Sequence, residues 1–347
     1  MPDLIYPAKP RPGDKIAVVS PSGGLPGVFP LPYELGLRRL REEFGLVPVE
    51  YPATRRMGVP AADRAADLHA AFADPQVKAV IASIGGDDQI TVLPHLDAGL
   101  IQANPKPFFG YSDNTNLLAY LWSLGIAAFH GGSVMVELGR PGEMHPMTAA
   151  SLRAALFTSG EYDLPEADSY RDVDRDWADP ATFEGPPSVQ ECTGWTWRGG
   201  DQVVEGPTWG GDLEIVSWLL MADRCVSPAP AYRGAVLLLE TSEELPSDIE
   251  VYRILRNMGE RGLLQEFAAI MVGRPKAWSF EHPNTPDQKA EYAARQREAI
   301  LQATARYNPD AMIVFDVDFG HTDPQLVIPY GGRVRLDGPA RRITVWY

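Results

Sequence analysis

Residues 106–120 read KPFFGYSDNTNLLAY, and this stretch decides the fold of the first half of the chain. Two phenylalanines favour a strand, and the glycine after them permits a sharp bend. From Asp113 onward, helix-opening residues lead into a leucine-rich stripe. The pattern predicts a strand, a turn at Ser112 and a helix. A serine in such a turn lies beside free backbone N–H groups, so Ser112 is a candidate nucleophile. The alternative is that Ser112 only caps the helix.

Strand-like and helix-like runs alternate on both sides of this turn, from about residue 14 to residue 159. Helical periodicity covers 31–44 and 63–73. Three further strand-like runs end in glycine: AVVSPSGG (17–24), VKAVIASIGGDD (77–88) and GIAAFHGG (125–132). This alternation predicts an α/β domain with a mostly parallel sheet flanked by helices. The functional groups of such a sheet gather at the carboxyl ends of its strands.

The rest of the chain has a different sequence pattern. Residues 161–191 are rich in Asp, Glu and Pro without a sustained period, which predicts a linker or a long functional loop. Short β-like segments dominate residues 192–347, interrupted by two helices that Ser247 and Thr285 open. We therefore predict an α/β domain over 1–160 and a β-rich α+β domain over 192–347.

Composition excludes several classes of function. The 347 residues carry a net charge of −15, which argues against a nucleic-acid partner. No apolar run is long enough to span a bilayer, and the segment MPDLIYPAKP lacks a signal-peptide pattern, so we expect a cytoplasmic protein without membrane contact. Cys192 and Cys225 form no metal-spaced pair, and no metal-binding motif is present. No metal or cofactor is expected.

A serine nucleophile needs a base, and the chain has only six histidines. His321 lies in DFGHTDP, directly after the strand-like run MIVFDV, where the preceding glycine lets the loop approach another surface. His130 also follows a buried strand and is the competitor in the first half. The alternative is a structural role, which is the commoner one for a lone histidine in a loop.

The imidazole in turn needs an acid that holds its tautomer. Glu240 ends the run VLLLE and so lies at the end of a buried strand, where an ionised carboxylate requires a partner. The alternative is a strand-end carboxylate that faces water. Asp316, Asp318 and Asp323 are rival acids close to His321 in sequence.

Six blocks match one known family in order and spacing. They are SIGGDDQITVLPHLD (83–97), FGYSDNTNLL (109–118), WGGDLEIVSWLL (209–220), LLLETSEELPSDIEVYRIL (237–255), MVGRP (271–275) and DFGHTDPQLVIPYGGRVRLD (318–337). On these blocks the chain resembles the LD-carboxypeptidase-like serine peptidases (peptidase family S66). The length, the 160–191 insertion and the pattern HTDP-x-x-x-x-P-x-G-x-x-V resemble the microcin C self-immunity branch.

The resemblance implies a catalytic triad of Ser112, Glu240 and His321, with the backbone N–H groups of Gly86 and Asp113 as oxyanion donors. It also implies a homodimer. The substrate implied is a small peptide or a peptidyl- or aminoacyl-nucleotide conjugate whose amide or acyl link is cleaved. Removal of a terminal D-amino acid from murein tetrapeptide is the alternative activity, and a catalytically silent ligand-binding protein on the same scaffold is another.

The order Ser, Glu, His also fits an α/β-hydrolase. Asn114 stands where that fold has the second glycine of its serine elbow, and the second half is β-rich, so we reject that fold.

Two departures from the family pattern concern substrate contacts. Asp212 follows the paired glycines where the family commonly has Asn. The immunity peptidases stack an aromatic loop on a nucleobase, and the candidates here are Trp177, Trp195, Trp197 and Trp209, although burial in the core is the commoner role of Trp.

Overall fold

The computed structural model describes residues 4–347. Residues 1–3, which begin the segment without a signal-peptide pattern, lie outside the described residues. The α-helices are α1 (Pro30–Glu42), α2 (Ala61–Ala73), α3 (Ala98–Ala103), α4 (Thr115–Ser123), α5 (Pro146–Phe157), α6 (Leu213–Ala222), α7 (Asp248–Glu260) and α8 (Pro286–Tyr307). Within residues 4–347, no helix is both long enough and apolar enough to cross a membrane.

The strands fall into two large sheets and one small ribbon. They are β1 (Lys15–Val19), β2 (Val47–Glu50), β3 (Val77–Ala82), β4 (Phe108–Gly110), β5 (Ala128–His130), β6 (Glu161–Asp163), β7 (Ser169–Tyr170), β8 (Gln190–Glu191), β9 (Thr196–Arg198), β10 (Val203–Asp212), β11 (Val236–Glu240), β12 (Ala269–Gly273), β13 (Met312–Val317), β14 (Ile328–Tyr330), β15 (Arg333–Asp337) and β16 (Arg342–Trp346).

The first sheet has the strand order β14-β5-β4-β3-β1-β2. All neighbours are parallel except β14, which pairs antiparallel with β5. The central strands are buried almost completely because helices cover both faces, as their apolar sequences require. The predicted α/β fold with a mostly parallel first sheet is confirmed. The edge strand β14 comes from the far end of the chain, which local sequence patterns do not indicate.

The second sheet is mixed, with the order β6-β16-β15-β10-β11-β12-β13-β9. Its centre, β10 to β13, is parallel, and its edges are antiparallel. Helices α6, α7 and α8 connect the parallel strands in turn. The sequence indicated α7 and α8, which start at the N-caps Ser247 and Thr285. It did not indicate α6, whose nearly uniform apolar sequence has no helical period.

Residues 161–191, expected to be a linker or a long functional loop, have several structural roles. Their first three residues form β6, which pairs with β16 at the edge of the second sheet. Strands β7 and β8 pair with each other as a small antiparallel ribbon. The intervening residues pass close to the site described below.

An aromatic cluster fills the core beneath the second sheet. Trp209 is only 1% exposed and packs edge-on against Tyr232, with ring centroids 4.8 Å apart. The rings of Phe267 and Trp122 lie 6.1 and 6.3 Å from that of Trp209. Trp209, one of the four candidate substrate contacts, is therefore a core residue whose ring is buried.

We expect Trp209→Ala to lower the free energy of unfolding by about 3–5 kcal/mol, because it removes a large ring from a packed core. Urea unfolding monitored by circular dichroism measures the change. Met221→Ala is the control, since Met221 is 76% exposed at the end of α6 and its removal should change stability by less than about 0.5 kcal/mol. Equal effects of the two substitutions would contradict this description of the core.

Candidate active site

Ser112 lies in the turn between β4 and α4, as the sequence predicts. Its backbone has φ = 60°, a left-handed conformation that non-glycine residues rarely adopt and that is typical of functional turns. A single turn of 3₁₀ helix, Ser112–Asn114, runs directly into α4. The strained turn places the hydroxyl of Ser112 at the wall of a cavity.

The loop after β3 packs against this turn. A Cβ atom on Gly85 would lie 2.8 Å from Ser112 Oγ, so only glycine permits the approach. Asp113 is fully buried, and its carboxylate accepts hydrogen bonds from the backbone N–H groups of Asp88 and Gln89 at 3.1 and 2.9 Å. Burial raises the pKa of Asp113 to about 6, although these donors oppose the shift. The side chain of Asp113 thus anchors the loop whose Gly85 faces Ser112.

Two backbone N–H groups are available beside Ser112. The amide of Asp113 lies in the first helical turn, where N–H groups have no intrahelical acceptor. Among residues 4–347, the amide of Gly86 donates to no protein acceptor. Both amides therefore remain free to donate to a ligand.

His321 and Glu240 meet at the junction of the two sheets. His321 Nδ1 lies 2.6 Å from Glu240 Oε2, which is a hydrogen-bond distance. Glu240 is 1% exposed at the end of β11. Burial alone would raise its pKa, but the adjacent imidazole of His321, assisted by His130, outweighs burial and lowers it. Burial alone would lower the pKa of His321, and Glu240 reverses this and raises it above the usual 6.5.

The second ring nitrogen of His321 faces the cavity. Glu243 Oε2 lies 3.5 Å from His321 Nε2. Among residues 4–347, no hydrogen bond joins this nitrogen to Ser112, although both residues line the same cavity. A proton transfer from Ser112 to this nitrogen would therefore require the two side chains to approach each other, as is common in sites without substrate.

The rival residues have other partners. Asp318 accepts a hydrogen bond from Trp195 Nε1 at 2.8 Å, Asp323 pairs with Arg140 at 2.7 Å, and Asp316 pairs with an arginine of α8. His130 Nε2 lies 3.6 Å from Glu240 Oε1, but His130 is fully buried and does not line the cavity. The geometry therefore favours Glu240 and His321 over these candidates.

The cavity in front of Ser112 has a volume of about 600 Å³, within the usual range for small-molecule sites. Six of the residues that line it are Gly85, Ser112, Glu137, Trp177, Glu243 and His321. Both halves of the chain contribute, so the site lies between the two sheets.

Only one of the four candidate tryptophans lines this cavity. Trp177 does, and its ring packs edge-on against Phe29 with centroids 5.9 Å apart. Trp195 and Trp197 do not line the cavity. Trp195 is buried and its indole N–H donates to Asp318, and Trp197 lies on the edge strand β9, which pairs with β13.

Asp212 lies beside the Glu240–His321 pair rather than at the cavity wall. It ends β10, and its Oδ1 caps α6 by accepting the N–H of Ile215 at 3.1 Å. One oxygen of Asp212, one oxygen of Glu240 and one nitrogen of His321 lie within 4.8 Å of one another. This donor set would suit a metal ion only if the 2.6 Å contact between Glu240 and His321 opened, because two ligands of one zinc lie about 3 Å apart.

Comparisons with known proteins show the family of the chain. Residues 16–131 match the LD-carboxypeptidase N-terminal domain, and residues 205–336 match the LD-carboxypeptidase C-terminal domain. A murein tetrapeptide carboxypeptidase of Pseudomonas aeruginosa is 34% identical over 281 residues, which cover 79% of this chain and 77% of that protein. The chain belongs to the LD-carboxypeptidase family of serine peptidases.

Solved structures of LD-carboxypeptidase-like proteins share the whole fold. The Escherichia coli microcin C7 self-immunity protein MccF, solved with aspartyl sulfamoyl adenosine, superposes with a TM-score of 0.85 at 21% identity and covers 99% of this chain and 98% of its own. An MccF-like protein from Streptococcus pneumoniae, solved with AMP, gives 0.83 at 25% identity, with 96% and 99% covered. The likeness to MccF at this identity establishes the fold alone.

The cavity lining includes three residues close to the site that the sequence did not indicate, Tyr111, Glu137 and Glu243. Tyr111 precedes Ser112, and its ring lies edge-on to that of His321 with centroids 5.1 Å apart. Glu243 follows Glu240 by three residues, a proximity that could have drawn attention to it. Glu137 is an acid within the apolar run VMVEL (134–138), and burial raises its pKa to about 8.

We expect labelling of Ser112 by a fluorophosphonate to accelerate with increasing pH. In this reaction Ser112 Oγ attacks phosphorus, fluoride leaves and the neutral imidazole of His321 takes the proton. Because the pKa of His321 is raised, the imidazolium dominates at neutral pH, and the base form appears only above it. Mass spectrometry of labelled peptides at several pH values measures the rate.

Glu243→Gln should move the midpoint of this profile to lower pH by about 0.5–1 unit, because it removes a negative charge near the imidazole. Glu244→Gln is the matched control, since among residues 4–347 Glu244 makes no ion pair with His321. If Glu243→Gln does not change the midpoint of the pH profile, His321 does not govern the reaction.

Proposed function

We propose that this protein hydrolyses an amide or acyl link in small peptidyl- or aminoacyl-nucleotide conjugates of the microcin C type, with Ser112, Glu240 and His321 as its catalytic triad. The observation that carries the proposal is the position of Trp177 in the same cavity as Ser112 and His321. An aromatic face at that position suits a nucleobase, and a base stacked on an aromatic side chain gains about 1–3 kcal/mol.

The chemistry follows from the positions of the side chains. His321 takes the proton of Ser112 as the hydroxyl oxygen attacks the substrate carbonyl, and Glu240 stabilises the imidazolium that forms. The backbone N–H groups of Gly86 and Asp113 donate to the oxyanion. The C–N bond then breaks, with His321 returning the proton to the leaving nitrogen. Water, activated by the same imidazole, releases the acyl group from Ser112.

Cleavage of murein tetrapeptide is the second candidate function. It is supported by the 34% identical relative, whose name gives it that activity. The structure of an MccF-like protein with AMP supports the nucleotide substrate at 25% identity. Mass spectrometry after incubation with an aminoacyl-sulfamoyl adenosine and, separately, with murein tetrapeptide distinguishes the two. If the protein hydrolyses the tetrapeptide alone, murein tetrapeptide cleavage replaces nucleotide-conjugate cleavage as the proposed function.

Ser112→Ala should reduce turnover of whichever substrate is cleaved by about 10⁴-fold, because the oxyanion donors and the binding groups remain while the nucleophile is lost. Product formation by mass spectrometry measures the rate, and an unchanged urea midpoint shows that the variant is folded. Turnover close to that of the unmodified protein would exclude the serine mechanism.

Trp177→Ala should lower kcat/KM for a nucleotide conjugate by about 10–100-fold, the equivalent of one lost stacking interaction. Trp177→Phe keeps an aromatic face and should retain most of the activity. Murein tetrapeptide has no base to stack, so its cleavage should change much less. Equal losses with both substrates would remove the support that Trp177 gives to the nucleotide proposal.

A further inference from the structure

Asp212 is the acidic neighbour of the proposed triad that the mechanism does not use. It ends β10 and pairs in register with Glu240, which ends the adjacent parallel strand β11. Asp212 is only 2% exposed and lies in the group of three donors whose atoms are within 4.8 Å of one another. Two buried carboxyl groups therefore lie close to each other and to one imidazole.

The charges around Asp212 do not balance if it is ionised. Glu240 already compensates the imidazolium of His321 through the 2.6 Å contact. Glu214, on the first turn of α6, adds another partly buried carboxyl group nearby. From β5, His130 lies 3.6 Å from Glu240. Among residues 4–347, no lysine or arginine pairs with Asp212. A second ionised carboxylate here would be a buried and uncompensated charge, which is strongly unfavourable.

The other contacts of Asp212 are with neutral groups. Its backbone N–H faces Thr115 Oγ1 of α4 at 3.3 Å, and one carboxyl oxygen accepts the N–H of Ile215. One such donor is less than the two or three that lower the pKa of a buried carboxyl group strongly. Burial raises the pKa of Asp212 well above its usual value, Glu214 and Glu240 add to the shift, and His321 opposes it.

We propose that Asp212 is a positioning residue that holds a proton at neutral pH and competes with His321 for it as the pH rises. The inference rests on the proposed function, because its consequence is the protonation of the triad base. With Asp212 neutral, His321 faces one buried carboxylate, Glu240. When Asp212 loses its proton, the new negative charge stabilises the imidazolium and delays formation of the base.

Infrared difference spectroscopy tests the proton without any substrate. The neutral-pH spectrum of the unmodified protein minus that of Asp212→Asn should contain the C=O stretch of a carboxylic acid, which an ionised carboxylate lacks. Carbon-13 labelling of aspartate should shift this band. Asp223→Asn is the matched control: Asp223 lies at the other end of α6, is 79% exposed and pairs with Arg261, so its removal should take away no such band.

Glu214→Gln locates the proton. The Asp212 band should persist in this variant, because Asp212 and not Glu214 carries the proton. If the band is absent from the unmodified protein, Asp212 is ionised and the proposal is overturned. If Glu214→Gln removes the band and Asp212→Asn does not, the proton lies on Glu214, and the proposal is overturned equally.

The pH profile of Ser112 labelling tests the coupling. Asp212→Asn removes the competing carboxyl group, so the midpoint of the profile should move to lower pH by about one unit. Asn caps helices as well as Asp does, so α6 should start normally. An unmoved midpoint means that Asp212 only caps α6, which overturns the positioning role. Failure of Ser112 to label at all would instead count against the proposed triad, and the infrared result would stand independently of it.

Discussion

The contact between Glu240 and His321 constrains the whole site, because it puts an ionised carboxylate where water cannot reach it. Such a group costs several kcal/mol to bury unless a partner is close and correctly oriented. The surrounding backbone makes room for that partner. A Cβ atom on Gly320 would lie 2.7 Å from Glu240 Oε2, and one on Gly273 would lie 2.8 Å from Glu240 Cβ. Two glycines thus allow the loop of His321 to close over the end of β11.

The position of this pair relative to Ser112 depends on how the two sheets are joined. Gln325, four residues after His321, donates to the carbonyl of Gly320 at 2.6 Å and accepts the N–H of Gly132 at 2.9 Å, on the loop after β5. The next residues continue into β14, which pairs with β5. The loop that carries His321 is therefore attached directly to the sheet that carries Ser112. The two halves do not simply meet at a surface, because hydrogen bonds from Gln325 and β14 join them.

Local chemistry explains what could be predicted from the sequence. The turn at Ser112 depends on a few consecutive residues, and an acid at the end of a buried strand needs a partner wherever the chain brings one. The roles of the tryptophans could not be predicted in this way. No local sequence pattern distinguishes the roles of Trp177, Trp195 and Trp209. Trp209 packs in the aromatic cluster, Trp195 is bonded to Asp318, and Trp177 lies in the loop before β8. The apolar helix α6 and the pairing of β14 with the first sheet were missed for the same reason: they depend on tertiary packing and not on local periodicity.

The pairing of β14 with β5 also affects how the protein is made. Ile328 pairs opposite His130, so the β5 edge of the first sheet stays open until residues 328–330 have left the ribosome. Pairing over such a separation closes a very large loop and is slow. During synthesis the nascent chain has an unprotected strand edge that other chains could join, a common route to aggregation. The loop that carries His321 directly precedes β14, so a nascent chain that ends before this loop exposes Ser112 without His321.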